Sequence, residues 1–123
     1  ASGCRYCQAH MMLASERFGA SEGRMETVWT YETSPHFTEA ERAALAFAQA
    51  ATEVPNAVTP EVGARLRAHW APEDIVEIMG VVALFGWLNR WNDSMGSALE
   101  DLPRETAETR LAHQSGWEIG KHR

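Results

Sequence analysis

Two cysteines and a histidine occur at helical spacing near the start of the sequence, in the run GCRYCQAH that contains Cys4, Cys7 and His10. Residues three apart are neighbours on a helix, so Cys4 is expected beside Cys7, and Cys7 beside His10. Two such thiols can close a disulfide, and an imidazole can take a thiol proton to leave the nucleophilic thiolate. The run therefore predicts a redox-active cysteine pair. The helix dipole favours Cys4 as the reactive thiol and His10 favours Cys7, so these residues leave the order open.

Three other interpretations of the cysteine pair are weaker. Both cysteines would be inert core residues in the first, but a histidine on the same helix face argues against it. A zinc site would need a fourth ligand, because structural zinc is four-coordinate. Thioredoxin-type chemistry would need a preceding strand, and no alternating strand pattern is present. We expect no metal and, without a glycine-rich nucleotide loop, no bound cofactor. The histidines considered as a fourth zinc ligand are His36, His69 and His113.

Composition limits the class of protein and its partners. The chain has 123 residues, of which 45% are hydrophobic, enough for one domain over residues 1–123. The net charge of −6 argues against a nucleic-acid partner, since a phosphate-binding surface needs clustered Lys and Arg. The most apolar stretch, residues 75–88, is too short to span a bilayer, and no secretory signal is visible. We expect a soluble, cytoplasmic protein without a membrane partner. Because it starts at Ala1, the chain is also consistent with the C-terminal part of a longer polypeptide.

Helical periodicity and capping signals predict the elements that position the cysteine pair. Apolar residues recur on one face over residues 4–18. The sequence TEAE at 38–41 is a capping box that opens another helix. Thr59-Pro60 starts a short helix, and Pro72 starts the longest one. We predict an all-α fold of about five to six helices, over residues 4–18, 21–31, 39–54, 59–69, 72–95 and 105–112, followed by a tail at 113–123.

Apolar side chains on the helix faces are predicted to form the core. They include Met11, Met12 and Phe18 on the first helix and an alanine-rich stripe that ends at Val54. The helix over 72–95 is apolar nearly all round, so it should be central or at a subunit interface. We therefore expect a homo-oligomer. The tryptophans predicted to lie in the core or an interface are Trp29, Trp70, Trp87 and Trp91.

Polar residues interrupt the longest helix at two places. Glu77 lies within its apolar part, and we expect it to face water rather than to act as a proton-relay acid. Arg90 and Asp93 are three residues apart and are expected to pair. Together with Asn89 and Asn92, they are predicted to form a structural or interface network in preference to a substrate contact.

The run SGCRYCQAH resembles the signature of the alkylhydroperoxidase-D-like, or carboxymuconolactone decarboxylase, family, and in particular its peroxidase-related branch. The segments WTYETSPHFTEAERAALAFA, VPNAVT and LFGWLNRWND are similar to that branch as well, so the resemblance covers roughly residues 2–95. It implies an all-α fold assembled as trimers or hexamers. Some members of the family reduce peroxides with the cysteine pair, and others are lactone decarboxylases that typically lack it. The presence of Cys4 and Cys7 favours the redox branch.

The resemblance also implies a role for each residue of the motif. Cys7 matches the cysteine that attacks peroxide, Cys4 the resolving cysteine, and His10 the histidine of the proton relay. The best-known peroxidases of the family place three residues between the second cysteine and the histidine, whereas only Gln8 and Ala9 intervene here. The family's relay glutamate lies upstream of the first cysteine. Either part of the family's N-terminal region is missing from this chain, or another acid serves.

We therefore expect an antioxidant enzyme: a thiol-dependent peroxidase acting on alkyl hydroperoxides, or a related dithiol oxidoreductase. The thiolate of Cys7 attacks the peroxide and becomes a sulfenic acid, and Cys4 condenses with it to give a disulfide. An external dithiol then reduces that disulfide by exchange. Two alternatives remain. One is a decarboxylase-like, non-redox lyase with His10 as general base, and the other is a non-enzymatic, redox-sensing oligomer.

Overall fold

A computed structural model describes residues 2–123 of the protein, apart from the side chain of residue 114. All regular elements in this range are helical, which confirms the predicted all-α fold. None of the described helices combines the length and the apolarity needed to cross a membrane. The helices are α1 (Arg5–Arg17), α2 (Glu22–Thr27), α3 (Glu39–Ala51), α4 (Pro60–Arg67), α5 (Pro72–Met95), α6 (Asp101–Arg110) and the single turn α7 (Ala112–Ser115), with a 3₁₀ turn at Val28–Thr30.

Local sequence explains where these helices begin. At the start of α3, Thr38 Oγ1 accepts a hydrogen bond from the Glu41 amide, and the Glu41 carboxylate accepts one from the Thr38 amide. This is the predicted capping box, which satisfies two amides that the helix itself leaves free. Thr59 caps α4, whose first residue is Pro60. The longest helix, α5, has the predicted bounds.

The chain forms two compact units, and one of them consists mainly of Thr30–Trp87. In this unit α3 packs against α4. The side chains of Phe37, Ala43 and Leu66 are buried, and the Trp70 indole donates a hydrogen bond of 2.8 Å to the carbonyl of Ala40. The three residues of the predicted site all lie in the other unit.

The second unit combines Gly3–Trp29 with Leu88–Arg123. Here α1 packs on α6, and α2 and α7 complete the layer around them. Ala9 and Met12 turn inward from α1 into this core, so the apolar packing fixes the helix that carries the cysteine pair. The core of the unit consists of Ala9, Met12, Met25, Ala107, Leu111 and Trp117, with Ala20, Leu99 and Ile119 packed against it.

The segment predicted to be a tail, residues 113–123, contributes Trp117 to this core, with Ile119 packed against it. Trp117 is 3% exposed, and its indole donates to the Arg5 carbonyl over 3.1 Å. The amide of Leu99 donates to the carbonyl of His122 over 2.9 Å. The physical reason is the favourable free energy of burying the large Trp117 side chain, which holds the segment in place although its sequence has little helical periodicity.

Several predicted core residues are exposed. Phe18 is 92% exposed because α1 ends at Arg17 and Phe18 only caps it. Val54 lies beyond the end of α3 and is 83% exposed. Met11 is 41% exposed, whereas its neighbour Met12 is buried. Two helix bounds also differ from the prediction: the segment 21–31 is helical as α2 and a 3₁₀ turn, and the predicted helix at 105–112 is α6, which begins at Asp101.

Candidate active site

The two cysteines lie at the start of α1 and contact each other. Cys4 is the N-cap residue, and its sulfur accepts a hydrogen bond of 3.3 Å from the Cys7 amide. The two Sγ atoms are 2.9 Å apart and share a hydrogen bond. Both thiols are free, and both are buried. Cys4 and Cys7 are therefore adjacent, as predicted. In addition, the Cys4 sulfur caps α1.

The environment of Cys7 differs from the expected one. Burial, together with the adjacent Cys4 sulfur, raises the pKa of the Cys7 thiol to about 12. The Asn92 amide lies 3.9 Å from Cys7 Sγ and acts in the opposite direction, lowering this pKa. His10 favours an ionised Cys7, whereas burial opposes ionisation of this thiol in the reduced protein. The reason is that desolvation disfavours a buried thiolate.

His10 pairs with a glutamate from the far end of the sequence. Its Nε2 atom lies 2.8 Å from Glu100 Oε2. The Tyr6 hydroxyl donates to the other oxygen of the same carboxylate over 3.4 Å, and the Tyr6 and His10 rings lie 4.4 Å apart between centroids. Hydrogen bonds from its own backbone amide and from His10 lower the pKa of Glu100. The carboxylate is thus held in its charged form beside the imidazole.

Glu100 is the acid that the sequence did not identify. It precedes α6, separated from His10 by 90 positions, and no local pattern links the two residues. The other acid considered, Glu77, is exposed on α5. The acid that pairs with the His10 imidazole therefore comes from the C-terminal half of the described chain.

A second histidine and a carboxylate lie on the Cys4 side of the pair. One ligand atom each from Cys4, Asp93 and His122 lies within 4.8 Å of the other two. Asp93 Oδ2 accepts a hydrogen bond of 2.9 Å from Lys121, so the lysine takes the place of Arg90, the predicted partner of Asp93. His122 lies in the segment predicted to be a tail, where the large apolar side chain of Trp117 is the feature that favours inward packing.

Taken together, the start of α1 carries a buried dithiol and, three residues after Cys7, a histidine paired with a glutamate. Such a pair of thiols can give up two electrons by closing a disulfide. The His10–Glu100 pair orients an imidazole and stabilises it when it gains a proton. These are the elements of two-electron thiol chemistry with local proton transfer.

The known proteins that are similar to this chain are longer than it is. No family model matches the sequence. The chain is 30% identical over 102 residues to the uncharacterized protein YnjA of Escherichia coli K12, an overlap that spans 82% of this chain and 56% of YnjA. The chain therefore extends over little more than half the length of that relative.

Two crystal structures of the debrominase Bmp8 are similar to this fold. The apo structure is 36% identical, with a TM-score of 0.82 over 87% of this chain and 57% of the Bmp8 chain. The second is 34% identical at the same TM-score, and it is a cysteine-to-alanine variant of Bmp8 in complex with 2,3,4-tribromopyrrole. The structural neighbours are thus enzymes, and one of them was altered at a cysteine.

Proposed function

We propose that this protein is a dithiol oxidoreductase of the alkylhydroperoxidase-D-like family that reduces a small electrophile, first of all a peroxide, with Cys4 and Cys7. The observation that carries the proposal is the 2.9 Å separation of two free sulfur atoms in one helical turn. A disulfide can form between them with little movement of the backbone. The resemblance of the cysteine motif to peroxide-reducing members of that family supports the choice of substrate.

Peroxide reduction balances on this pair. One thiolate attacks a peroxide oxygen, the O–O bond breaks, and the alcohol leaves with a proton while the sulfur becomes a sulfenic acid. The second thiol displaces water from the sulfenic acid and forms the disulfide. Two electrons have then passed from the sulfurs to the peroxide. An external dithiol restores the pair by exchange.

His10 and Glu100 supply the proton transfers in this proposal. The imidazole can accept a thiol proton and return it to the departing oxygen, because its charged form is stabilised by the carboxylate 2.8 Å away. Glu100 acts through His10 and is a positioning residue. Tyr6 holds the second oxygen of the same carboxylate, which fixes its orientation.

Reductive debromination is the second candidate, favoured by the likeness to the Bmp8 structures. Replacement of a carbon–bromine bond by a carbon–hydrogen bond requires two electrons and one added proton, and it releases bromide. Formation of the Cys4–Cys7 disulfide supplies those electrons and releases two protons, one of which goes to the ring carbon. Both candidate reactions therefore consume the same dithiol and need the same external reductant.

The decisive experiment is intact-mass spectrometry of the reduced protein after one equivalent of substrate. We expect an alkyl hydroperoxide to remove two hydrogen atoms from the protein, and a dithiol reductant to restore the original mass. A parallel sample receives 2,3,4-tribromopyrrole. Samples with both thiols alkylated beforehand are the control, and they should not change.

The outcomes of this experiment, together with assays of peroxide and lactone turnover, distinguish the candidate functions. Disulfide formation with the bromopyrrole alone would replace the peroxidase by the debrominase. No oxidation with either compound would refute the dithiol function. Lactone turnover that survives Cys4→Ser would instead favour the non-redox lyase, and disulfide formation without turnover would favour the redox sensor.

We further propose that the protein is a homo-oligomer in which α5 lies at the interface. None of the residues of α5 is buried within the described chain. Exposed fractions of 71% for Val76, 58% for Val81 and 53% for Leu84 leave a large apolar surface on this helix, and such surfaces are typical of protein interfaces. Further copies of the chain present the same apolar surface, and contacts between copies in a closed ring cover it in each of them. Light scattering at micromolar concentration should give a trimer or hexamer, and a monomer would contradict this proposal.

A further inference from the structure

The imidazole of His122 is buried with one ring nitrogen that has no hydrogen-bond partner. The residue is 1% exposed. Its Nδ1 atom lies 2.9 Å from the carbonyl oxygen of Ser97. A carbonyl can only accept, so Nδ1 carries the proton, and Nε2 of the neutral ring holds a lone pair. That Nε2 atom is buried without a hydrogen-bond partner among the described residues, and a buried polar atom in this state is costly.

Two further donor atoms converge on the same point. Asp93 Oδ1 lies 3.6 Å from His122 Nε2, which is too far for a hydrogen bond. Cys4 completes a set of three ligand atoms that lie within 4.8 Å of one another. In a tetrahedral zinc site with bonds of about 2.0–2.3 Å, neighbouring ligand atoms are about 3.3–3.6 Å apart. The three groups therefore need only a small contraction to share one ion.

We propose that Cys4, Asp93 and His122 form a binding site for a divalent metal ion of the zinc type. A thiolate, an imidazole and one carboxylate oxygen suit zinc, whereas calcium and magnesium prefer oxygen ligands alone. The surroundings already orient two of the three ligands, His122 and Asp93, as metal sites require. Ser97 fixes the imidazole tautomer, and Lys121 occupies Oδ2 of Asp93, so that Oδ1 faces the other ligands.

Because Cys4 belongs to both the metal site and the cysteine pair, metal binding depends on the redox state of that pair. Binding of zinc replaces the proton of Cys4 with a zinc–sulfur bond and releases that proton. When a peroxide oxidises the loaded pair, Cys4 and Cys7 form the disulfide, the peroxide becomes an alcohol and hydroxide, and the zinc ion leaves. The reduced pair thus holds the ion, and oxidation of the pair releases it.

Metal binding is tested directly with the reduced, metal-free protein and zinc chloride. We expect calorimetry to give one ion per chain. Since changes in residues around metal ligands cost 10–100-fold in affinity, loss of a ligand in His122→Ala or Asp93→Ala should weaken binding by at least about 100-fold. The matched control is His113→Ala, which removes an exposed histidine from α7 and should bind zinc like the wild type.

A second readout identifies the sulfur ligand. Cobalt(II) bound in place of zinc should give a thiolate-to-metal charge-transfer absorption, and Cys4→Ser should remove it. Circular dichroism checks the fold of every variant. Asp93 has a side chain that is 44% exposed, so Asp93→Ala decides the matter if His122→Ala fails to fold.

Two results would overturn the inference: no saturable zinc binding by the reduced wild type, or binding that Asp93→Ala leaves at the level of the His113→Ala control. These measurements need no peroxide. A protein that binds zinc yet forms no disulfide would therefore refute the proposed function and leave this site intact.

Discussion

Serine at either cysteine position is expected to lower reductant-coupled peroxide turnover by on the order of 10³-fold or more. The two sulfurs are 2.9 Å apart and must both be present to form the disulfide. Cys4→Ser and Cys7→Ser should therefore lose turnover alike, although each keeps one thiol. The measurement is peroxide consumption with a dithiol reductant under steady-state conditions, beside the wild type. Turnover retained by either variant would contradict a disulfide mechanism.

The same variants report which thiol attacks. After a single addition of peroxide, trapping with dimedone should label a sulfenic acid in only one of them, because the other lacks the attacking thiol. The family resemblance assigns attack to Cys7 and predicts the label in Cys4→Ser. A label in Cys7→Ser would instead assign the attack to Cys4, whose sulfur accepts a hydrogen bond from the amide of residue 7 in the wild type.

Trp117→Ala is expected to destabilise the unit that holds the cysteines by about 3–5 kcal/mol. The indole is 3% exposed within the apolar cluster and donates to the Arg5 carbonyl in the first turn of α1. Its removal leaves a cavity and releases the C-terminal segment from α1. Urea unfolding followed by far-ultraviolet circular dichroism measures the change in the free energy of unfolding.

Trp29→Ala is the matched control for this substitution, since Trp29 belongs to the same unit but is 43% exposed. Trp29→Ala should lower the free energy of unfolding clearly less than Trp117→Ala does, because much of the Trp29 side chain is already exposed to water in the folded protein. If the two variants lose the same stability, the C-terminal segment does not contribute to the core in the way the structure indicates.

Elements with strong local signals were predictable from the sequence. The capping box before α3 and the proline at the start of α5 each mark a helix start with hydrogen bonds or sterics that act within a few residues. Exposure was less predictable. Phe18 continues the apolar face of α1 in sequence, yet it lies past the last helical residue, where the periodicity no longer determines its direction.

The site was predictable as far as it lies on one helix. Cys4 at the N-cap of α1 and Cys7 and His10 within it are spaced three apart, so helix geometry predicts that they lie along one face. The residues that other segments contribute to the site could not be predicted in this way. Glu100, for example, contacts His10 only because distant segments of the chain pack together. His122 lies in a stretch without helical periodicity, and its burial depends on the fold of the whole unit.

The position of Cys4 as the cap of α1 couples sulfur chemistry to the amide hydrogen exchange of a single residue. In the reduced protein the Cys7 amide is held by the Cys4 sulfur, one of the few acceptors available to the first turn of a helix. Formation of a disulfide turns the Cys4 sulfur into a weaker acceptor, whereas its ionisation makes the same sulfur a stronger one. The exchange rate of the Cys7 amide proton therefore reports the chemical state of the Cys4 sulfur. NMR can measure this rate without any label on the sulfur.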